Sequence, residues 1–286
     1  MRVVVFGGSG FLGSHVADAL TDKGYDVIIF DKKQSSYIRN KQSIVIGDIM
    51  NSKAVNQAVE NCDYVYHFAG VSDLDDGSTK PLETATYNVL GTCNILDACI
   101  KNNVKKFIYA SSLYVQSDKG GFYRCSKQAA EIYIEEYYRK YGIEFAILRY
   151  GSLYGPRSSE NNSLYKILKS ALITGRINYL GDGDETRAFI HVKDAAELSV
   201  QVLEKNFFEK RIVLTGNISY KMKEIIILIK KILNKDIDIT YGNKISDLHY
   251  YLPPYDFRPQ HDYKLINSNC RSLEQGLLEC IEEINK

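Results

Sequence analysis

The chain predicts an α/β fold, a doubly wound parallel sheet followed by a smaller C-terminal lobe. Three observations point there. Short β-branched runs alternate with helical patterns through the first 151 residues, and those runs are apolar on both faces. The rhythm breaks after Gly151, where elements shorten and Gly-Pro, Gly-Asp-Gly and Leu-Pro-Pro turns appear. The expected division is 1–151 for the sheet domain and 152–286 for the lobe. The strand-then-helix pattern at 187–204 is expected to return to the sheet domain.

Taken in order, residues 2–6 form the first strand. A glycine-rich turn leads into a helix over 11–23, with Leu12, Val16 and Leu20 on one face and Gly24 as a left-handed cap. Residues 27–30 make a second strand ending at Asp31, 43–46 a third, 52–60 a short helix and 64–68 a fourth strand. One long helix is expected over 82–101, with Val89, Cys93, Leu96 and Ile100 on its apolar face. Residues 107–110 form a fifth strand, 123–141 a helix closed by Gly142, and 145–148 a sixth strand.

The 286 residues carry a formal net charge of +1, which leaves no electrostatic footprint for nucleic acid or an anionic membrane. No apolar run approaches the ~20 residues of a membrane span, and no signal architecture opens the chain, so a soluble cytoplasmic protein is expected. Six cysteines, at 62, 93, 99, 125, 270 and 280, make no Cys-x-x-Cys pair. They are expected as reduced core thiols, with no metal site. Tyrosine, 22 residues against no tryptophan, is the main aromatic.

Gly7, Gly10 and Gly13 make Gly-x-x-Gly-x-x-Gly between the first strand and first helix. The first glycine permits a tight turn, the second lets backbone approach a pyrophosphate, and the third lets helix and strand pack closely. The helix N-terminus then offers free amides and partial positive charge to phosphate. Strand, turn and helix in this order are the context that a Rossmann-type dinucleotide site requires. Asp31 stands where a carboxylate binds adenosine ribose hydroxyls and repels a 2′-phosphate, favouring NAD over NADP, while Lys32 and Lys33 oppose that repulsion. The bland alternative for Asp31 is a solvated turn residue. Asp48 suits either an adenine amino group or the N-terminus of the next helix.

Tyr123 and Lys127 lie at i and i+4 on one helix face, downstream of a strand ending in Ser111-Ser112. An ammonium near a phenol stabilises phenolate and lowers the tyrosine toward neutrality. The phenolate can then take a hydroxyl proton as hydride leaves carbon, with a serine hydroxyl sharing the transfer. Without that context the pair would be an ordinary amphipathic surface pair.

These motifs resemble the extended short-chain dehydrogenase/reductase family, in particular its NAD-dependent nucleotide-sugar epimerases and dehydratases. The resemblance rests on 5–13, Tyr66-His67-Phe68-Ala69-Gly70, Asn88-Val89-Leu90-Gly91-Thr92, 111–115, Tyr123-x-x-Ser126-Lys127, 148–156 and Arg187-Ala188-Phe189-Ile190-His191-Val192-x-Asp194. The last 30 or so residues match poorly. The resemblance implies Ser112, Tyr123 and Lys127 as catalytic residues. It implies NAD held by Gly7, Gly10, Phe11, Leu12, Gly13, Asp31, Lys32, Asp48, Ile49, Phe68, Ala69, Gly70, Ser111, Tyr123, Lys127 and Tyr150. It implies a nucleotide-diphosphate sugar at Ser112, Tyr123, Ser152, Arg187 and Arg258. Arg187 suits the diphosphate because guanidinium offers fixed, paired donors; the bland alternative is an ion pair with Asp184 or Glu185. Ser152 stands where many members carry an Asn. Asn88 reads equally as a support of the cofactor site and as a structural mid-helix Asn. His67 reads as a packed strand residue.

Leu113 and Tyr114 choose among members. The 4,6-dehydratases that the chain resembles carry Asp-Glu there, and 3,5-epimerase/reductases carry Cys after the serine. Oxidation at C4 remains. A 4-epimerase is the first expectation and a 4-dehydrogenase or 4-keto reductase the second. Behind them come a 4,6-dehydratase and a non-catalytic NAD-sensing relative. The helices over 82–101 and 123–141 resemble those that pair across a two-fold axis in this family, which implies a homodimer. Ile132, Tyr133, Tyr137 and Tyr138 add apolar surface beyond the catalytic stripe.

Overall fold

The computed structural model describes residues 1–204, 207–243, 248–254, 262–266 and 269–285. Its main sheet takes six strands from the first half: β1 (Arg2–Phe6), β2 (Asp26–Asp31), β3 (Gln42–Ile46), β4 (Tyr64–His67), β5 (Lys106–Ser112) and β6 (Glu144–Tyr150). The second half gives short β7 (Ser152–Tyr154), β8 (Arg176–Tyr179), β9 (Thr186–Arg187) and β10 (Phe189–His191). It continues with β11 (Lys210–Leu214), β12 (Tyr220–Lys221), β13 (Asp238–Tyr241) and β14 (Asp262–Leu265). The helices are α1 (Phe11–Asp22), α2 (Ser52–Val59), α3 (Leu74–Thr79), α4 (Pro81–Ala85), α5 (Gly91–Lys101) and α6 (Gly121–Tyr141). Beyond them lie α7 (Ser163–Thr174), α8 (Val192–Gln201), α9 (Met222–Leu233) and α10 (Leu273–Ile284).

The large sheet runs β14-β11-β6-β5-β4-β1-β2-β3, and every pairing in it is parallel. Alternation along each strand sorts side chains to two faces. Val3, Val5, Val27, Ile29 and Tyr66 pack with α1 and α8. Val4, Phe6, Ile28, Phe30, Val65 and Phe107 pack with α2, α5 and α6. The order reverses between β1 and β4, and a crevice opens there at the carboxyl ends of the strands, where α/β sheets bind ligands. A separate core of α7, α9 and α10, with Tyr154 and Phe189, forms the smaller lobe.

Two expectations are corrected. The segment 152–286 is not wholly lobe: β11 and β14 extend the large sheet beside β6. β14 follows a strand rather than a helix, and β11 follows α8 only after the rhythm has broken at Gly151, so the pattern hid them. The helix over 82–101 is not regular either. Residues Thr86–Leu90 form a π-turn between α4 and α5, with the Gly91 amide reaching back five residues to the Thr86 carbonyl. Of the six thiols, Cys62, Cys99 and Cys280 are buried and Cys125 is exposed. No described helix is long and apolar enough to cross a membrane.

Candidate active site

The crevice holds a cavity of about 590 Å³. Its floor is the loop between β1 and α1. Gly7 has φ of +79°, and a Cβ there would stand 2.6 Å from the Ala69 amide nitrogen. A Cβ on Gly13 would stand 2.2 Å from the Gly7 carbonyl oxygen. The loop is thus pressed so close to α1 and to the end of β4 that only glycine fits. No side chain caps α1 at Gly10, so its first-turn amides face the cavity unpartnered by the helix. These features fit a dinucleotide pyrophosphate.

Gly7, Gly10, Phe11, Leu12, Gly13, Asp31, Lys32, Ile49, Phe68, Ala69, Gly70, Ser111, Ser112, Tyr123, Lys127 and Tyr150 all line this cavity. The Asp31 carboxylate accepts from the Ser9 amide at 3.0 Å and the Lys33 amide at 3.1 Å, which fixes it at the rim. Asp48 is not in the lining. It pairs with the Lys32 ammonium at 3.2 Å and accepts from the Met50 amide at 2.9 Å. Lys32 also lies 3.7 Å above the Tyr87 ring. Its charge is committed to Asp48 and Tyr87.

Lys127 and Tyr123 are brought in by α6, Ser112 by the end of β5. The Lys127 ammonium donates to the Ala110 carbonyl at 2.8 Å and lies 4.7 Å from the Tyr109 ring centroid and 5.9 Å from that of Tyr123. Burial lowers Lys127 to about 8, opposed by the negative charge of Glu131. Burial pushes Tyr123 up to about 12, opposed by a hydrogen bond with Ser112. The expected lowering of Tyr123 is therefore corrected. The ammonium donates to a backbone carbonyl and stands 5.9 Å from the Tyr123 ring centroid, so burial of the phenol outweighs it in the protein alone.

Asn88 is fully buried in the π-turn. It accepts from the Val71 amide and donates to the Val71 carbonyl and the Ser126 hydroxyl. Ser126 in turn donates to the Tyr123 carbonyl, so one side chain ties the cavity wall to the helix of Tyr123 and Lys127. Ser111 lines the cavity, but its hydroxyl donates to buried Glu131 at 2.6 Å. The Tyr150 hydroxyl meets Ser199 at 2.7 Å. His67 is buried, bonded to Thr92, and held down at about 3 by burial, which leaves it no base role.

Beyond Tyr123, Tyr114 bonds His249 at 2.7 Å and lies 4.9 Å from the Tyr250 ring. Arg187 donates to the Tyr250 carbonyl at 2.7 Å and covers its ring. Asp184 is held by Lys221 and Lys223, and Glu185 by Tyr179, so the ion pair that would have made Arg187 a bland residue is not formed. Ser152 pairs in register with Phe189 and is outside the cavity lining. Arg258 lies outside the described residues.

A family model described as the NAD dependent epimerase/dehydratase family matches residues 3–216. The chain belongs to that family. It is 32% identical to a provisionally assigned UDP-glucose 4-epimerase of Methanocaldococcus jannaschii, over 70% of this chain and 73% of that protein. It is 26% identical to a dTDP-D-glucose 4,6-dehydratase of Mus musculus, over 100% of this chain and 89% of that protein. A UDP-glucose 4-epimerase of Thermotoga maritima, solved with UDP-glucose, shares the fold at a TM-score of 0.87 and 24% identity, covering 100% of this chain and 99% of that one.

The family is NAD-dependent, in keeping with the glycine loop. Several site features escaped the sequence. Val71, Ser72, Glu83 and Tyr87 line the cavity from the loop and helices that follow β4. Nothing local marks them, because they meet the nucleotide groove only after the chain folds back. Glu131 and Arg149 did leave a signal. A charged residue inside the apolar run of β6 requires a buried partner. Glu131 supplies it from α6, accepting from Arg149 at 3.1 Å and 2.7 Å.

Proposed function

We propose that this protein is an NAD-dependent nucleotide-sugar 4-epimerase, with a UDP-sugar as its substrate. The observation that carries the reading is the meeting of Ser112, Tyr123 and Lys127 on one cavity wall, with no carboxyl group at 113 or 114. Leu113 is buried, and the Tyr114 hydroxyl is engaged by His249. That supports C4 oxidation without loss of water.

The glycine loop and the α1 N-terminus hold the pyrophosphate, and Asp31 the adenosine ribose. Bound NAD supplies a hydride acceptor and a positive ring that favours the Tyr123 phenolate. Tyr123 takes the C4 hydroxyl proton and later returns it. Ser112 hydrogen-bonds the same oxygen and keeps it placed through both transfers. The Lys127 charge, 5.9 Å from the Tyr123 ring centroid, favours the phenolate through space. Arg187 binds the diphosphate, exchanging its bond to the Tyr250 carbonyl for phosphate oxygens.

We further propose a homodimer through α4, the π-turn and α6, which expose Leu82, Leu90, and Phe122, Ile132 and Tyr133 respectively. The catalytic test is incubation of the purified chain and NAD with UDP-glucose, UDP-N-acetylglucosamine and UDP-glucuronic acid, followed by NMR. A C4 epimer with no net NADH is expected. A released keto sugar with stoichiometric NADH would replace the reading by a dehydrogenase.

A further inference from the structure

Directly behind the catalytic wall lies a charged cluster with no place in the chemistry above. Glu131 sits one helical turn after Lys127 on α6, and its side chain is only 6% exposed. Its carboxylate accepts from the Ser111 hydroxyl at 2.6 Å and from Arg149 at 3.1 Å and 2.7 Å; the Arg211 guanidinium stands 3.9 Å away. Arg211 also pairs with Glu135. One carboxylate therefore joins α6 to the ends of β5 and β6 and to β11. One of the joined positions, Ser111, belongs to the catalytic wall. Ser111 precedes Ser112, and Ala110, next in line, offers the carbonyl that grips the Lys127 ammonium.

A buried ammonium is costly unless a negative charge stands near it. The groups facing Lys127 are Tyr123 and Glu131 on α6, Tyr109 on β5 and His67 on β4. Both tyrosines are protonated and His67 is neutral at pH 7. Arg149 and Arg211 lie behind Glu131 and are positive. Glu131 is the one anion in this set. We propose that Glu131 is a positioning residue: its carboxylate keeps Lys127 charged and fixes the end of β5 that presents Ser112. This rests on the reading of Lys127 as the partner of Tyr123.

The test is a titration of Lys127 in the full-length chain, labelled with ¹³C at the lysine ε carbon and assigned through Lys127→Arg. Glu131→Gln is expected to lower the Lys127 midpoint by about one pH unit or more. Because that variant strands a buried Arg149, the double variant Glu131→Gln/Arg149→Met is measured beside it, and its midpoint should also be low. Arg149→Met alone leaves the carboxylate unneutralised and should raise the midpoint. Glu131→Asp should restore most of the wild-type value. In turnover, the basic limb of the pH profile should move with the Lys127 midpoint. A double variant whose Lys127 titrates like wild type would overturn the proposal and leave Glu131 as a partner for Arg149 only. The titration needs no sugar. Failure of the epimerase reading would show separately, as absence of any C4 product from the wild-type chain.

Discussion

Tyr123 combines a buried phenol, a hydrogen bond with Ser112 and an ammonium one turn away that bonds a carbonyl rather than the phenol. Deleting its hydroxyl removes the proton acceptor and no packing. Tyr123→Phe is expected to bind NAD as wild type does by calorimetry and to lose roughly 10²–10⁴ in turnover. Wild-type turnover in that variant would end the assignment. Asp31 makes a second residue-scale case. With Lys32 drawn to Asp48 and Tyr87, the carboxylate at the cavity rim is opposed by one fewer cation than the sequence suggests. NAD should therefore bind more tightly than NADP, and Asp31→Ala should narrow the ratio by roughly tenfold, the weight of a charged hydrogen bond. Tighter NADP binding to the wild-type chain would show Lys33 prevailing.

At the scale of elements, the π-turn is what brings Asn88 inward. The extra residue in the turn re-aims one side chain from the helix toward the loop after β4. The same Asn reaches α6 through Ser126. Asn88→Ala removes the partners of the part-buried Val71 amide and carbonyl, at about 0.5–1.5 kcal/mol for each hydrogen bond lost. A lower chemical-denaturation midpoint and weaker NAD binding are expected together, since cavity wall and catalytic helix share this clamp. Loss of stability with unchanged NAD affinity would show that the clamp does not reach the site.

For the whole molecule, the exposed apolar residues of α4, the π-turn and α6 predict association. Light scattering at micromolar concentration should give twice the chain mass, and Ile132→Asp with Tyr133→Asp should give the monomer. A monomeric wild type would reject the two-fold pairing. Stability should also fall in acid. Burial lowers His15 to about 4 and His67 to about 3, and it lowers His191 as well. Each is neutral in the folded chain where the unfolded chain binds a proton. Their contribution is complete above about pH 6.5 and is lost as pH falls toward 4, at up to about 1.4 kcal/mol per pH unit for each histidine. A melting temperature flat from pH 7 to pH 4.5 would contradict this. His67→Gln, which cannot titrate, should flatten part of the decline.

The sequence by itself determined the parallel sheet, the glycine loop and the Tyr123/Lys127 face, because each is a local rule. Strand burial shows as an unbroken apolar run, a phosphate loop as glycine spacing, and a helix face as i and i+4. Tertiary structure alone decided the rest. Asp48 turned to Lys32, Ser111 turned to Glu131, and Arg187 met Tyr250 from 63 residues away. It placed β11 and β14 beside β6, and it raised Tyr123 instead of lowering it. Each of these depends on which charges and carbonyls lie within a few ångströms and how much water is excluded. Spacing along a chain encodes neither, because the partners come together only when distant segments pack.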